Sequence, residues 1–290
     1  MQDASQQPKD STSFVTREHE VGTANGKARI SFLVCKPLEQ AGFINAFSTR
    51  GGGVSNLPLG ALNLAYFKGD DKANVAENRR RFLEAIGAET ATVMTARQTH
   101  STDRCFVETN EQARGAQPDC DAMATKLPGV LLAIQTADCL PVLIADPKSG
   151  VMAAIHAGWR GTAGRITERS VADLMLIHGV NPRDCIAALG PSACAACYEV
   201  GEEVIERYKK EFAYWQKLFT NFKGGGKARL NVRAANIQQL KFCGFVEEHI
   251  HAAEYCTMHQ GELFFSYRRE GKSQASGTGR LLSLIGRRAR

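Results

Sequence analysis

The stretch from Ala133 to Gly164 decides the fold: it reads AIQTADCLPVLIAD (133–146), PKSG (147–150) and VMAAIHAGWRGTAG (151–164). Two apolar runs of β type flank the Pro-Lys-Ser-Gly turn, which predicts a hairpin or two neighbouring strands. Cys139 lies within the first run, and His156 lies at the end of the second. We therefore expect a thiolate and an imidazole to meet at one edge of a sheet.

A third candidate metal ligand lies upstream. His100 follows another run with strand character and is flanked by the hydrogen-bonding side chains of Gln98, Thr99 and Ser101. Nitrogen and sulfur donors of this kind suit Zn²⁺, and three protein ligands leave the fourth position open, as in catalytic sites. Cu²⁺ binds the same donors at least as tightly, so copper in a preparation would not establish an oxidase.

Several short segments of the sequence resemble motifs of one family and occur in the same order as in that family. They are FSTRGGGVS (47–55), QTHS (98–101), ADCLPVL (137–143), HAGWRG (156–161), GPS (190–192) with CYEVG (197–201), and FFSYRR (264–269). The chain resembles the laccase-domain family, whose members are also called multicopper polyphenol oxidases, zinc-dependent purine nucleoside phosphorylases or peptidoglycan editing factors. The resemblance extends from about residue 43 to residue 285.

The resemblance implies an α+β fold, a four-layer α/β/β/α sandwich with mixed sheets. Residues 26–290 would form the single domain, and residues 1–25, which begin with a polar segment, would be a flexible lead-in. Periodicity by itself predicts alternating strands and helices, with helices near 73–86, 164–177, 199–210 and 231–242.

The activity that the resemblance implies is phosphorolysis of adenosine, inosine, guanosine and methylthioadenosine, together with deamination of adenosine. Purine nucleosides and phosphate would be the partners, and Zn²⁺ the cofactor, with Cu²⁺ possible in vitro. The predicted catalytic and metal-binding residues are His100, Cys139 and His156. The predicted substrate-binding residues are Arg50, Asn63, Arg160 and Glu199.

Three details of the site stay open at the sequence level. Arg50 precedes three glycines, whose backbone N–H groups either cradle an anion or only allow a turn. The group that carries a proton during deamination is Glu199 or Asp138. Asp121 is either the acidic position of the family before a β run or a turn residue.

Other functions use the same residues. Cys139 is a candidate nucleophile with His100 or His156 as its base, as in a cysteine hydrolase or amidase acting on peptidoglycan precursors. A copper-dependent polyphenol oxidase is disfavoured, because the only His-x-His pair is His249-Ile250-His251. A non-catalytic binding module is the remaining alternative, and an open three-ligand set argues against it.

The amino-acid composition limits the kinds of partner and the cellular compartment that we expect for the protein. The chain has 290 residues, a net charge of +6 and 43% hydrophobic residues, without the long basic run of a nucleic-acid binder. Its nine cysteines show no disulfide framework, which favours a reducing cytoplasm. No secretory or membrane-spanning segment is evident, and we expect a monomer or homodimer.

Cys194-Ala-Ala-Cys197 is a Cys-x-x-Cys motif outside the predicted site. A structural zinc knuckle needs a second pair of ligands nearby, and the sequence shows no evident one. We therefore predict no structural metal there.

Overall fold

The computed structural model describes residues 13–24, 26–57, 61–67, 69–271 and 277–289. The strands are β1 (Phe14–Thr23), β2 (Gly26–Cys35), β3 (Ile44–Ser48), β4 (Thr92–Thr95), β5 (Arg104–Val107), β6 (Ala122–Thr125), β7 (Val130–Thr136), β8 (Leu140–Ala145), β9 (Met152–Ala157), β10 (Ile186–Leu189), β11 (Glu199–Val200), β12 (Phe219–Lys223), β13 (Lys227–Leu230), β14 (Ile250–Ala252) and β15 (Leu281–Gly286). The helices are α1 (Lys36–Gln40), α2 (Lys72–Ala85), α3 (Asn110–Arg114), α4 (Trp159–Ala163), α5 (Ile166–His178), α6 (Glu202–Glu211), α7 (Val232–Phe242) and α8 (Tyr267–Glu270).

These strands form a mixed α/β domain with two six-stranded sheets and a smaller three-stranded one. The first sheet has the order β1-β2-β3-β15-β7-β4 and the second β14-β10-β8-β9-β6-β5, while β11-β13-β12 make the third. Most neighbours are antiparallel, but β4 with β7, β5 with β6 and β10 with β14 are parallel. The mixed α/β class predicted from the resemblance is therefore confirmed.

Successive side chains of the central strands point to opposite faces of their sheets. The buried residues therefore fall into three hydrophobic clusters. On β7, Leu131 packs with α2 in one cluster, whereas Leu132 faces the second sheet in another. On β8, Leu143 belongs to the cluster between the sheets, and Val142 packs with α5, α6 and α7. This period of two is the pattern of strands buried on both faces, and it is compatible with the four-layer order α/β/β/α.

The central stretch forms the predicted hairpin, but its first run is not one strand. β8 pairs with β9 around the Pro-Lys-Ser-Gly turn, with Pro141 opposite His156. The chain leaves β7 at Thr136, turns at Ala137–Cys139 and enters β8 in the other sheet. Cys139 consequently lies in the connection between the two sheets rather than inside a strand, directly before the residue that pairs with Ala157.

The predicted helices are present, and capping fixes most of their ends. Asp71 caps α2 by accepting from Ala73 N, Asn231 caps α7 in the same way, and Gly179 ends α5 in the left-handed region. The helix predicted at 199–210 begins later, because Glu199–Val200 pair with β13 as a short strand. No helix of the described ranges is both long enough and apolar enough to cross a membrane.

The lead-in predicted for residues 1–25 is wrong for its second half. Phe14–Thr23 form β1, which pairs along its whole length with β2. Most of its side chains are exposed, so hydrophobic patterning gives little signal; main-chain pairing and surface ion pairs such as Lys27–Glu20 accompany the strand instead. Residues 1–12 lie outside the described residues.

Candidate metal centre

The structure brings the three predicted metal ligands together. One ligand atom each from His100, Cys139 and His156 lies within 4.8 Å of the other two. The Cys139 Sγ atom is 3.9 Å from His100 Nε2, and the two imidazole rings stand edge to face at 4.9 Å. Each comes from a different segment: the loop after β4, the β7–β8 connection and the end of β9.

Asp121 stands behind this cluster and is completely buried. Its Oδ1 lies 2.7 Å from His156 Nδ1, which leaves His156 Nε2 as the nitrogen available to a metal. The same carboxylate accepts hydrogen bonds from the backbone N–H groups of Thr99, His100 and Ser101. A carboxylate that orients a ligating histidine is characteristic of metal sites, so the donor set and its surroundings fit Zn²⁺.

The charges within the cluster favour the ionised forms of Cys139, His156 and Asp121. Burial alone raises the pKa of Cys139, but the neighbouring His156 and His100 outweigh it and lower that pKa. Burial lowers the pKa of His156, and the opposing effects of Cys139 and Asp121 raise it. Despite burial, hydrogen bonds from His156 and Ser101 hold the pKa of Asp121 at about 2. The site therefore favours the thiolate, which is the form that binds a metal.

The backbone around the cluster is unusual at two non-glycine residues. His100 has φ of 60° and Asp138 has φ of 99°, both in the left-handed region that L side chains rarely adopt. Such conformations concentrate at functional sites, where surrounding contacts compensate for them. For Asp138 these contacts are Thr257 Oγ1 and Arg268 N, which donate to its carboxylate at 2.6 and 2.7 Å.

Gly158 follows β9 and lies against all three ligands. A Cβ atom at this position would be 3.1 Å from Cys139 Sγ, 3.2 Å from His100 Cδ2 and 3.8 Å from His156 Cε1. Its φ of −69° is ordinary, so the constraint is space and not backbone conformation. A hydrogen atom at Gly158 keeps the approach to the cluster open.

A small cavity lies next to the cluster. It has a volume of about 320 Å³ and is lined by Trp159, Tyr198, Glu199, Lys227 and Arg268 together with apolar neighbours. Aromatic faces with a few charged groups are typical of ligand sites. A larger cavity, about 1230 Å³, lies between β1, β2, the end of α2 and Arg287–Arg288, and neither cavity is lined by any of the three predicted ligands.

Positive side chains surround the same region. The Arg160 guanidinium stacks on Trp159 at 4.3 Å, and that of Arg268 lies 5.1 Å from the centre of the Tyr198 ring. Arg280 interacts electrostatically with Cys139 and Asp138. A group of arginines beside an open metal position favours an anionic substrate.

Two of the predicted substrate residues lie in the protein interior. Arg50 forms a buried ion pair with Glu270 at 2.7 Å and donates to the carbonyl of Gly261. Asn63 donates to Asp70, and its carbonyl oxygen accepts the backbone N–H of Arg280. Asn63 thus anchors the backbone of an arginine that interacts electrostatically with Cys139.

The other two predicted substrate residues are near the small cavity. Arg160 is the second residue of α4 and is exposed, with Glu203 at 3.9 Å. Glu199 lines the cavity and forms ion pairs with Lys223 and Lys227. The hydrogen bond from Lys223 lowers the pKa of Glu199, so this carboxyl is ionised at neutral pH.

Residues 44–288 match the family described as multi-copper polyphenol oxidoreductase laccase. The chain belongs to this family. Among its relatives, purine nucleoside phosphorylase YlmD of Geobacillus stearothermophilus is 34% identical over 263 residues, 89% of this chain and 94% of YlmD. The crystal structure of YlmD from Geobacillus stearothermophilus has 32% sequence identity and a TM-score of 0.80, and covers 94% of this chain and 100% of that chain.

A second family relative carries a different activity in its name. Adenosine deaminase RL5, from an unknown prokaryotic organism, is 33% identical over 235 residues, which cover 79% of this chain and 89% of RL5. Names for phosphorolysis and deamination therefore both occur among relatives that align over most of this chain.

Sequence reasoning missed part of the site and a separate cluster. Asp121 was left open between the acidic position of the family and a turn residue, and its place directly before a β run was the available signal. Tyr198 had no signal of its own.

Cys194 and Cys197 lie close to Cys256 and His259 in the structure. Cys256 and His259 form a Cys-x-x-His pair, which a search for spaced ligands would have found. His249 and His251 join no such cluster in the described part of the chain.

Proposed function

We propose that this chain is a zinc-dependent purine nucleoside phosphorylase that also deaminates adenosine. The observation that carries the proposal is the cluster of His100, Cys139 and His156, oriented by Asp121. A cavity with aromatic and cationic walls includes Arg268, whose backbone N–H donates to Asp138, the neighbour of Cys139. The substrates are adenosine, inosine, guanosine and methylthioadenosine. The names of the relatives in the same family support this choice.

The metal would be held by Nε2 of His156, Sγ of Cys139 and a nitrogen of His100. Zn²⁺ in such a site supplies a Lewis acid with one open coordination position. Asp121 holds the His156 ring in one orientation and supports the loop that carries His100. Cu²⁺ would bind the same atoms in vitro.

The remaining residues bind and orient the substrates. Phosphorolysis requires phosphate near the anomeric carbon, and we assign the exposed guanidinium of Arg160, which stacks on Trp159, to hold this anion. Trp159 and Tyr198 offer aromatic surfaces to the purine base. Arg50 and Asn63 would contribute indirectly, Asn63 by holding the backbone of Arg280.

Deamination requires a group that carries a proton to the leaving amine. Asp138 is next to Cys139, and its carboxylate is fixed by Thr257 and Arg268. Glu199 is held ionised by Lys223. We assign the proton-carrying role to Asp138 and a binding role to Glu199, which lines the cavity.

The test is phosphate-dependent release of free base from adenosine and inosine by zinc-loaded protein. Cys139→Ala should abolish release, while Cys105→Ala, which changes a half-buried cysteine outside the cluster, should retain it. Ammonia release from adenosine without phosphate measures the deaminase activity separately. Zinc-loaded protein that releases neither base nor ammonia contradicts the proposal.

A cysteine hydrolase acting on peptidoglycan precursors is the second candidate. It is favoured by the contact of Cys139 Sγ with His100 Nε2 at 3.9 Å and by the lowered pKa of Cys139. A metal-bound thiolate is a poor nucleophile, so the two functions respond oppositely to zinc. Hydrolysis of such precursors by zinc-free protein, inhibited when zinc is added, would establish the second candidate.

The setting that we propose is the cytoplasm, with the protein as a monomer or homodimer. All nine cysteines are free thiols, which suits a reducing compartment. Purine nucleosides and phosphate are the partners, and we propose no interaction with nucleic acid or membranes.

A further inference from the structure

Four metal-ligating side chains converge away from the catalytic cluster. Cys194 and Cys197 lie in the loop between β10 and β11, and Cys256 and His259 lie in the segment that follows β14. One ligand atom from each of the four lies within 4.8 Å of the others. The Cys197 Sγ atom is 2.9 Å from His259 Nε2, and Cys194 Sγ is 3.9 Å from His259 Nδ1. Residues distant in sequence thus form one compact set.

The donor set has the composition and size of a closed zinc site. Structural zinc is bound by four cysteine and histidine ligands, Cys₃His among them, and Zn–S bonds of about 2.3 Å imply sulfur–sulfur separations of roughly 3.8 Å. Separations below 4.8 Å are therefore compatible with tetrahedral binding after small side-chain adjustments. The catalytic cluster has three ligands, whereas this one has four and leaves no position for substrate.

Two neighbouring groups, the Cys194 backbone N–H and Arg233, suit a metal-bound sulfur at Cys194 and Cys256. The backbone N–H of Cys194 donates to Cys256 Sγ at 3.4 Å, an outer contact that supports a metal-bound sulfur. Arg233 interacts electrostatically with Cys194 and Cys256 and donates to the carbonyl of Tyr255 at 3.0 Å. Its Nε atom is buried without a hydrogen-bond partner among the described residues. Three thiolates around Zn²⁺ leave one net negative charge, which a buried guanidinium offsets.

We propose that Cys194, Cys197, Cys256 and His259 bind a second Zn²⁺ with a structural role. The metal would join the 190–201 segment to the 253–264 segment, which otherwise share the Ser192–Cys256 bridge and few regular hydrogen bonds.

Both segments support the catalytic centre. Ala193 N donates to the carbonyl of Asp138 at 2.9 Å, and Thr257 Oγ1 donates to the Asp138 carboxylate at 2.6 Å. The 190–201 segment also carries Tyr198 and Glu199 to the small cavity. A metal that ties the segments together therefore fixes Asp138, the residue directly before Cys139, from two sides.

The competing explanation is a redox-active thiol cluster, in which two of the cysteines form a disulfide. The two explanations differ in what the isolated protein contains. A structural zinc site holds a metal and reduced thiols, whereas a redox cluster holds no metal and forms a disulfide under mild oxidation.

The experiment measures zinc in the full chain independently of activity. In the double variant His100→Ala/Cys139→Ala, the catalytic cluster has lost two ligands. We expect this variant to retain one zinc per chain after dialysis, and to lose it when Cys194→Ser and Cys197→Ser are added. Cys243→Ser, a half-buried cysteine outside both clusters, is the matched control and should retain the metal.

A second measurement covers the case in which the cysteine variants fail to fold. The folded double variant is loaded with Co²⁺, and its absorption spectrum is recorded. Tetrahedral d–d bands with strong thiolate-to-cobalt charge transfer support the proposal. A folded double variant without zinc and without these bands overturns it, as does an intact mass that shows a disulfide within the cluster in freshly isolated protein. Failure of the proposed enzyme activity would affect neither readout.

Discussion

Asp121 links two of the proposed metal ligands through one carboxylate: its Oδ1 lies 2.7 Å from His156 Nδ1 and accepts the backbone N–H of His100 at 3.1 Å. His100 comes from the loop after β4 and His156 from β9, and each is held by the same buried group. The geometry of the candidate metal centre therefore depends on a residue outside the proposed ligand set.

Asp121→Asn should weaken zinc binding by about 10–100-fold, because partners of ligating histidines typically contribute that much. Asn cannot accept from His156 and from three backbone N–H groups equally well. Competition with a chromophoric chelator measures the affinity. Asp119→Asn is the matched control, since Asp119 is an exposed aspartate paired with Arg97. Equal affinities for Asp121→Asn and the parent protein would show that the carboxylate has no such role.

Gly158→Ala should impair activity while leaving the fold intact. The added Cβ would lie 3.1 Å from Cys139 Sγ, so the ligands must shift by a few tenths of an ångström. Small displacements at a reacting centre are costly, and we expect kcat to fall by up to about 10²-fold. Gly224→Ala is the control, because a Cβ atom at Gly224 would meet nothing within 4 Å and Gly224 lies outside the cluster and the small cavity. Similar kcat values in both variants would contradict the steric argument.

Arg50→Met should destabilise the protein by about 3–5 kcal/mol, the usual cost of removing one partner of a buried ion pair. Arg17→Met is a matched control, because Arg17 pairs with Glu39 at the same 2.7 Å on the surface, where such pairs contribute about 0–1 kcal/mol. Urea denaturation measures both. If the two variants lose equally little stability, Arg50 is not mainly structural, and a direct role in anion binding regains support.

Asp138→Asn and Glu199→Gln should separate the two candidates for proton transfer. General acid–base groups typically contribute about 10²–10⁴-fold, so Asp138→Asn should lower the deamination rate by a factor in that range. Glu199→Gln should mainly raise KM, because Glu199 lines the cavity and is already ionised by Lys223. Ammonia release from adenosine gives kcat and KM for each variant. The opposite pattern would transfer the role to Glu199.

The sequence predicted the elements whose formation depends on turn and capping residues close to them in the chain. The Pro-Lys-Ser-Gly turn predicted the β8–β9 hairpin, and the helices predicted near 73–86 and 231–242 are present with Asp71 and Asn231 as their N-caps, because turn and capping chemistry acts within a few residues. The cluster of His100, Cys139 and His156 was expected from the residue types and from the resemblance to a family, and the structure brings the three residues together.

Other features depend on contacts that no local pattern contains. The apolar run 133–146 looks continuous, yet it divides between two sheets at Asp138, whose φ of 99° is maintained by Thr257 and Arg268 far along the chain. Arg50 pairs with Glu270, which lies 220 positions later in the sequence. The burial of Arg50 in an ion pair therefore could not be predicted from the glycines that follow it. The cluster that contains Cys194 was not predicted, because its second pair of candidate ligands is about sixty residues away in the sequence.

The position of β15 has a consequence for synthesis on the ribosome. β15 lies between β3 and β7 in the first sheet, and Leu282 N donates to Ser48 Oγ, 234 positions earlier. A nascent chain must therefore keep β3 and β7 as open edges until β15 emerges, and open edges readily pair with other chains. Translation that pauses before β15 should expose this protein to aggregation, and chaperones that shield strand edges should matter most at that stage.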